Sequence, residues 1–282
     1  MRRNRKWSKA ALVVLIITVL SGFAFAGRTL LFEETKGNLT ISAETLQGVD
    51  LSETQLESIR KAREVVNNQL NVGESAVVYL SALDNVSSLP IIPMIQPDLN
   101  NDLNSWRTEL LEHHFNVLPP DTLLGSYTFA GGMKKYPFGT LEGSESDMKA
   151  LAQELKAGSE SSGKEYSWKK IDSTSSLPLM TFTSVYRNKN QDTLYYLIQQ
   201  IAPDSKIRLN MLTPSSTTFE ELDLNGHTAR YFKNNSFVFT DSQAYQEISW
   251  MTEEEGQATV YTIGSDSLEM TKEQLIEAAN QL

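Results

Sequence analysis

The N-terminus carries the feature that most constrains this chain. Residues 1–9 contain five basic residues and no acidic residue, and residues 10–27 then run for 18 positions without a charge. An apolar helix needs roughly 17–25 residues to cross a bilayer, so this run is long enough. Because a basic flank stays on the cytoplasmic side, the pattern predicts a cytoplasmic tail over 1–9 and export of everything after residue 27.

Two interpretations of the apolar segment stay open. In the first, residues 10–27 form a transmembrane anchor, which gives a single-pass protein of the cell membrane with its C-terminal domain extracytoplasmic. In the second, the segment is a signal peptide, because Ala24-Phe25-Ala26 has the A-x-A form of a processing site. Cleavage at Ala26 would then release a secreted protein. Both interpretations place the folded part outside the cytoplasm.

The composition excludes several kinds of binding partner and of chemistry. The chain has 25 Lys and Arg residues against 35 Asp and Glu residues, a net charge of −10. The five basic residues of the tail belong to the other side of the membrane, so the exported part is more acidic still, and we expect no binding to nucleic acid. The chain has no Cys, which excludes disulfides, thiolate metal sites and a Cys nucleophile.

Residues 28–158 are expected to hold a connector followed by helices. Residues 28–48 are polar with little periodicity, and we interpret them as a stalk. Residues 49–158 form a helix-rich extracytoplasmic region. Three helices are expected there: one that begins after Ser52, one with Leu99, Leu103, Trp106 and Leu110 on one stripe, and one that ends at Gly158.

Residues 159–282 are expected to form a separate antiparallel β-sheet domain. Residues 159–163 (SESSG) are interpreted as a flexible joint. Short β-type runs follow, with no helix long enough for a parallel crossover between them. They are Tyr166–Ile171, Leu179–Tyr186, Thr193–Ile201, Lys206–Met211, Phe219–Leu224, His227–Phe232, Tyr245–Met251 and Ala258–Ile263.

Two hairpins and a last helix complete this domain. Asn225-Gly226 is typical of a type I′ turn, which sets Leu224 opposite His227 and Leu222 opposite Ala229. A second hairpin is expected at Glu253–Gly256, and a helix after Thr271. The predicted fold class is therefore α+β: an N-terminal transmembrane helix, then helices packed on a curved antiparallel sheet, and a short C-terminal helix.

The sequence yields no catalytic, cofactor-binding or metal-binding residues, and it leaves the binding residues unknown. Adjacent helical positions such as His113 and His114 point about 100° apart and cannot chelate one ion. His227 is expected at a hairpin edge. Four further patterns are more simply explained as chance or as surface turns: Ser146/Lys149 and Ser161/Lys164 (S-x-x-K), Gly131-Gly132, Glu253–Glu255, and the N-x-[ST] matches at Asn38, Asn85 and Asn234.

The C-terminal part resembles a known family. The residues that carry the resemblance are Asn225-Gly226, Tyr231, Ile248-Ser249-Trp250, Gly256, Tyr261-Thr262-Ile263-Gly264, Leu268, Glu273, Leu275-Ile276, Ala278-Ala279 and Leu282. This pattern, over residues 219–282, is similar to the end of the uncharacterised extracytoplasmic DUF 4367 family, with a looser match from residue 118. The resemblance implies a bent antiparallel sheet that carries helices, and it supplies no catalytic residues. Trp250 and Tyr261 are expected to be core aromatics on adjacent strands.

Three functions follow as hypotheses. The first is a membrane-anchored, non-enzymatic extracytoplasmic domain that binds a protein or another component of the cell envelope, for example in envelope sensing. The alternative is a carrier of an apolar ligand in the concavity of a curved sheet, as an anchored or a secreted protein. A hydrolase with an unrecognised site is the third. No cofactor is expected.

Overall fold

The computed structural model describes residues 12–18, 27–47, 50–87, 89–141, 144–171, 178–203 and 205–282. Over these described residues the fold is mostly β, with 43% in strands and 22% in helices. The helices are α1 (Glu53–Asn67), α2 (Leu103–Glu112), α3 (Glu145–Ser162) and α4 (Lys272–Asn280). The strands are β1 (Leu12–Thr18), β2 (Arg28–Lys36), β3 (Leu39–Leu46), β4 (Ser75–Leu80), β5 (Ile91–Ile95), β6 (Thr122–Leu123), β7 (Tyr127–Met133), β8 (Tyr166–Ile171), β9 (Leu179–Arg187), β10 (Thr193–Ile201), β11 (Lys206–Pro214), β12 (Thr218–Leu224), β13 (His227–Asn234), β14 (Tyr245–Glu254) and β15 (Gln257–Ser265).

The centre of the molecule is an eight-stranded antiparallel sheet in the order β12-β13-β14-β15-β10-β9-β7-β6. The predicted hairpin between β12 and β13 is confirmed: Asn225 and Gly226 have φ of +53° and +84°, and Leu224 pairs with His227. The second hairpin turns at Glu255 and Gly256, again with positive φ at both residues. These turns hold the strands in the register that the alternation of their side chains requires.

Two helices cover one face of this sheet, which we call the helical face. Leu275, Ala278 and Ala279 of α4 are buried there, as are Trp106 and Leu110 of α2. The predicted capping box of α4 is present, since the Thr271 hydroxyl accepts from the Gln274 N–H and the Gln274 side chain accepts from the Thr271 N–H. The helical face is therefore closed by apolar packing over these residues.

The opposite face, which we call the inner face, packs against a four-stranded sheet in the order β1-β11-β3-β2. In this sheet β11 pairs in parallel with both β1 and β3, while β2 and β3 form an antiparallel hairpin. Leu39 and Leu209 of the smaller sheet share a buried cluster with Met251 and Val260 of the larger one. The two sheets thus form a sandwich around this buried cluster.

A third sheet, in the order β5-β4-β8, lies between α1 and α3. Ile59 and Val66 of α1 share a buried cluster with Val78 of β4, whereas Leu155 of α3 packs with Val77. All six residues of β4 are buried, because neighbouring side chains of a strand point to opposite faces and both faces are covered.

The predicted transmembrane helix is wrong as a feature of this fold. Within 10–27 the structure places Leu12–Thr18 in strand β1, paired with β11, and residues 10, 11 and 19–26 lie outside the described residues. No helix in the described part of the chain combines the length and apolar character that crossing a bilayer requires. The α+β class is corrected accordingly to a mostly β fold.

Three local predictions are also wrong. Residues 28–48 are not an aperiodic stalk but contain the β2–β3 hairpin. The helix expected to end at Gly158 continues through most of the predicted joint, and Gly163 ends it with φ +65°. Gly131-Gly132 is not a turn but part of β7, where Gly132 lies against the Trp106 indole.

The eight predicted β-type runs all overlap strands, and Tyr166–Ile171 and Thr193–Ile201 have identical bounds. Two of these runs, however, leave the large sheet. Strand β8 pairs with β4, which lies in the region expected to be helix-rich, and β11 pairs with β3.

Candidate functional site

A cavity lies between the inner face of the eight-stranded sheet and the four-stranded sheet. Its volume is about 70 Å³ and it is partly open to solvent. Pockets for drug-sized ligands usually measure about 300 Å³ or more, so this cavity admits only a molecule of a few non-hydrogen atoms. The polar residues that line it are Tyr136, Gln199, Arg230, Glu247, Ser249 and Thr262. An acyl chain does not fit, and the carrier hypothesis gains no support here.

The alternation of strand side chains brings the two charged groups of the lining together. In β13 and β14, Arg230 pairs with Ser249, and Glu247 stands two residues from Ser249 on the same face. The intervening residue Ile248 is buried on the helical face. Arg230 and Glu247 are therefore diagonal neighbours across adjacent strands.

Arg230 is buried and already neutralised. Its guanidinium Nη1 forms an ion pair with the Glu34 carboxylate of β2, and its Nε lies 3.5 Å from Glu221 Oε1. The same guanidinium lies 4.0 Å from the centroid of the Phe32 ring, a cation–π contact. Arg230 thus fastens β2 to the large sheet rather than presenting a free positive charge to the cavity.

Glu247 has a different environment. It forms no ion pair with any residue in the described part of the chain. Burial raises the pKa of Glu247 to about 7, and the nearby Tyr245 hydroxyl lowers it by less than burial raises it. The Tyr245 hydroxyl is itself buried and has no hydrogen-bond partner at ordinary geometry. A carboxyl group with a displaced pKa inside a cavity is the kind of group that functional sites use.

An aromatic cluster adjoins the cavity through Tyr136, which belongs to the cavity lining. It contains Phe138, Phe237 and Tyr245, with Tyr136 and Tyr195 packed against them. The Phe138 ring makes edge-on contacts with Tyr136, Tyr195 and Tyr245 at centroid distances of 5.5, 5.4 and 5.0 Å. Tyr245 reaches this position because Gly264, the strand partner of Glu247, has no side chain: a Cβ there would lie 2.1 Å from the Tyr245 hydroxyl oxygen.

Asn38, in the turn between β2 and β3, links the smaller sheet to the larger one. Its side-chain amide donates to the carbonyl oxygens of Ala202 and Ser205, and its Oδ1 accepts from the Ala258 N–H. Asn38 begins one of the three N-x-[ST] matches, but it is buried and its side chain is fully engaged. It therefore serves as a structural link and not as a glycosylation acceptor.

None of the three histidines considered in the sequence analysis lines the cavity. His113 packs on the Phe182 ring at a centroid distance of 4.8 Å on the helical face, and His114 is exposed. His227 is exposed at its hairpin. No group of three or more His, Asp or Glu residues that could hold a metal ion occurs in the part of the chain that the structure describes.

The remaining candidates lie apart from one another. The Ser161 hydroxyl donates to the Gly158 carbonyl at the end of α3, and Ser144 and Ser146 share a hydrogen bond at its start. Glu253 accepts from the Gly37 N–H in the β2–β3 turn. Trp250 and Tyr261 are stacked at 5.5 Å on adjacent strands, which confirms their prediction as a core pair.

Sequence reasoning missed Arg230 and Glu247. The available signal was a charged residue in the row Tyr245, Glu247, Ser249 and Met251 of one predicted strand. The sequence left open which face of the strand is buried, because the alternate row, with Ile248 and Trp250, is apolar and is the natural candidate for the buried face. Only the folded structure shows that both faces of the strand are covered.

Comparisons with protein-family models, with curated proteins and with solved structures find no match to this chain. The resemblance to the DUF 4367 family therefore stays a hypothesis.

Proposed function

We propose that this chain acts outside the cytoplasm, anchored at the cell membrane through its N-terminal segment, as a non-enzymatic domain that binds a protein of the cell envelope. The basic tail and the 18 uncharged residues after it support the export and the anchoring. Strand β1 and insertion in a bilayer exclude each other, so this function requires residues 12–18 to leave the edge of β11 in the cell.

The exposed start of β2 is the observation that carries the binding role. In the described part of the chain, β2 lies at the end of its sheet and pairs only with β3. Its first residues, Arg28, Thr29 and Leu30, are exposed, and Leu30 retains 57% of its accessible surface. A free strand edge offers unpaired N–H and C=O groups to an extended segment of a partner. Because Arg28 follows the apolar segment directly, this edge would lie close to the membrane.

Site-specific photo-crosslinking in living cells tests this function. A photoreactive amino acid at Leu30 should yield an adduct with one defined envelope protein at native expression. The matched control is Val72, another apolar residue with 65% exposure, in the segment after α1. No adduct at Leu30, or the same adducts at Leu30 and Val72, would contradict binding at the β2 edge.

A further inference from the structure

The charges around the inter-sheet cavity do not balance within the protein. Arg230 and Lys36 supply two positive charges, and both pair with Glu34, while Arg230 also lies 3.5 Å from the Glu221 carboxylate. Glu247 adds a third negative charge that no basic group of the described residues approaches within ion-pair distance. With all three carboxyl groups ionised, one negative charge is left uncompensated, and leaving it so in a partly buried position is costly.

The rest of the lining is suited to a cation with a short apolar part. Tyr136 of the aromatic cluster lines the cavity together with Glu247, and the buried Tyr245 hydroxyl lies beside the Glu247 carboxyl group. On the four-stranded sheet the lining includes the apolar side chains of Leu209 and Met211, and Leu197 adds an aliphatic side chain from β10 of the larger sheet. The volume of about 70 Å³ limits a ligand to a few non-hydrogen atoms.

We propose that the inter-sheet cavity binds a small alkylammonium ion, with the Glu247 carboxylate as its counterion, Tyr136 beside its charge and the aliphatic side chains around its alkyl group. An anion is disfavoured, because both nearby cations are already paired. A bare metal ion is disfavoured by the aliphatic half of the lining, which offers no ligand oxygen. This assignment does not depend on the envelope partner proposed above.

The binding should depend on pH through Glu247. Its pKa lies at about 7, so the carboxylate that the ligand needs is a minor form at pH 6 and the major form at pH 8. We expect the affinity to be about tenfold higher at pH 8 than at pH 6. The other charged or titratable groups that face this carboxyl are Tyr245 on its own strand, Tyr136, Tyr195 on β10, Arg230 on β13 and Glu34 on β2. The pKa values of Tyr136, Tyr195 and Tyr245 are raised by burial, so all three stay neutral over this pH range.

The experiment is calorimetric titration of the full chain with methylammonium chloride in phosphate buffer, at constant ionic strength. We expect saturable binding to the natural chain and to E254Q, an exposed glutamate change on the same strand, and loss of binding in E247Q. A thermal-shift series on the unmodified chain at pH 6 and pH 8 needs no variant and should show the larger stabilisation at pH 8.

Two further ligands define the class. Potassium chloride at equal concentration tests charge alone, and tetramethylammonium tests size, since it is too bulky for the cavity. Equal effects of potassium and methylammonium would overturn the assignment of an alkylammonium site. So would binding that persists in E247Q, or the absence of saturable methylammonium binding at pH 8.

Discussion

At the residue scale, a few side chains decide how the sheets meet. Asn38 makes one hydrogen bond to Ala258 of the larger sheet and two to the loop between β10 and β11, and Arg230 joins β2 to β13 through Glu34. Asn38 and Arg230 are both buried. Such positions cost more on truncation than exposed polar residues do.

Replacement of Asn38 by Ala should lower the free energy of unfolding by roughly 1–3 kcal/mol, because the Ala258 N–H and the Ser205 carbonyl oxygen lose their Asn38 partner, while the Ala202 oxygen still accepts from the Ser205 N–H. Denaturant unfolding followed by tryptophan fluorescence measures this loss. Asn85, which is exposed, is the control, and N85A should stay within about 0.5 kcal/mol of the natural chain. Equal losses in the two variants would show that Asn38 is not a link between the sheets.

Two glycines should respond to the same substitution with opposite signs. In G132A the new methyl group would lie 2.1 Å from Cδ2 of the buried Trp106 ring, so we expect a loss of about 3 kcal/mol or more. In G158A the nearest atom, Ser167 Oγ, is 3.5 Å away and the position is inside α3, so we expect a gain of roughly 0.5–1 kcal/mol. Thermal unfolding of both variants measures the difference, and a neutral G132A would contradict the packing of Trp106 on β7.

Glu247 should give the stability a characteristic dependence on pH. Its pKa is raised in the folded state from 4.5 to about 7, so the folded chain holds this proton more tightly than the unfolded chain. The contribution of this group is fully present below pH 4.5 and is lost as the pH rises through about 7.

We therefore expect E247Q to become more stable than the natural chain above pH 7, by up to about 3 kcal/mol at pH 8. Urea unfolding at intervals from pH 4 to pH 8, in buffers without amines, measures the difference between the two proteins. E254Q, exposed on the same strand, should show no such trend. A difference between E247Q and the natural chain that is constant with pH would refute the buried titration.

At the element scale, short strands and capped helices account for most of the fold. Helix α4 illustrates the balance, because its capping box fixes its start while Leu275 is fully buried on the helical face. We expect L275A to lose roughly 2–5 kcal/mol of stability, as other fully buried leucines do. Leu268, which is 70% exposed shortly before α4, is the matched control, and L268A should change little. Circular dichroism during thermal unfolding distinguishes the two, and equal melting temperatures would contradict the docking of α4.

Elements whose signals are local could be predicted from the sequence. The capping boxes at Ser52 and Thr271 and the Asn225-Gly226 turn involve residues at most three apart, so the pattern contains the interaction itself. Six strands of the large sheet, β9, β10 and β12 to β15, were predicted for the same reason, because alternation and turn residues are local, whereas β6 and β7 were not predicted.

Elements that depend on distant contacts could not be predicted. Strand β2 lacks a clean alternation of buried and exposed side chains, because one of its sides is only half-buried. The β2–β3 hairpin is also held by side-chain hydrogen bonds to residues about 200 positions later in the chain, such as those of Glu34 and Asn38. Strand β5 contains Pro93, which is tolerated because β5 lies at the edge of its sheet. The cavity could not be predicted from the sequence either, because the pKa of Glu247 is raised only when the two sheets pack and bury it.

At the scale of the whole molecule, each of the three sheets is built from strands that lie far apart in the sequence. Strands β8 and β11 both belong to the predicted segment 159–282. Strand β11 pairs with β3 of the predicted segment 28–48, and β8 pairs with β4 of the predicted segment 49–158. The three predicted segments are therefore connected by shared sheets. These pairings join the three segments into one folded body.

Labelling of single cysteines in intact cells tests the central claim most directly, because the chain has no Cys of its own. An L268C variant should react with a membrane-impermeant maleimide in intact cells, since Leu268 is exposed in the folded domain. An S8C variant, in the predicted cytoplasmic tail, should react only after lysis if the segment is an anchor, and should be missing from the mature chain if the segment is cleaved. Labelling of L268C only after lysis would contradict export, and with it the proposed function.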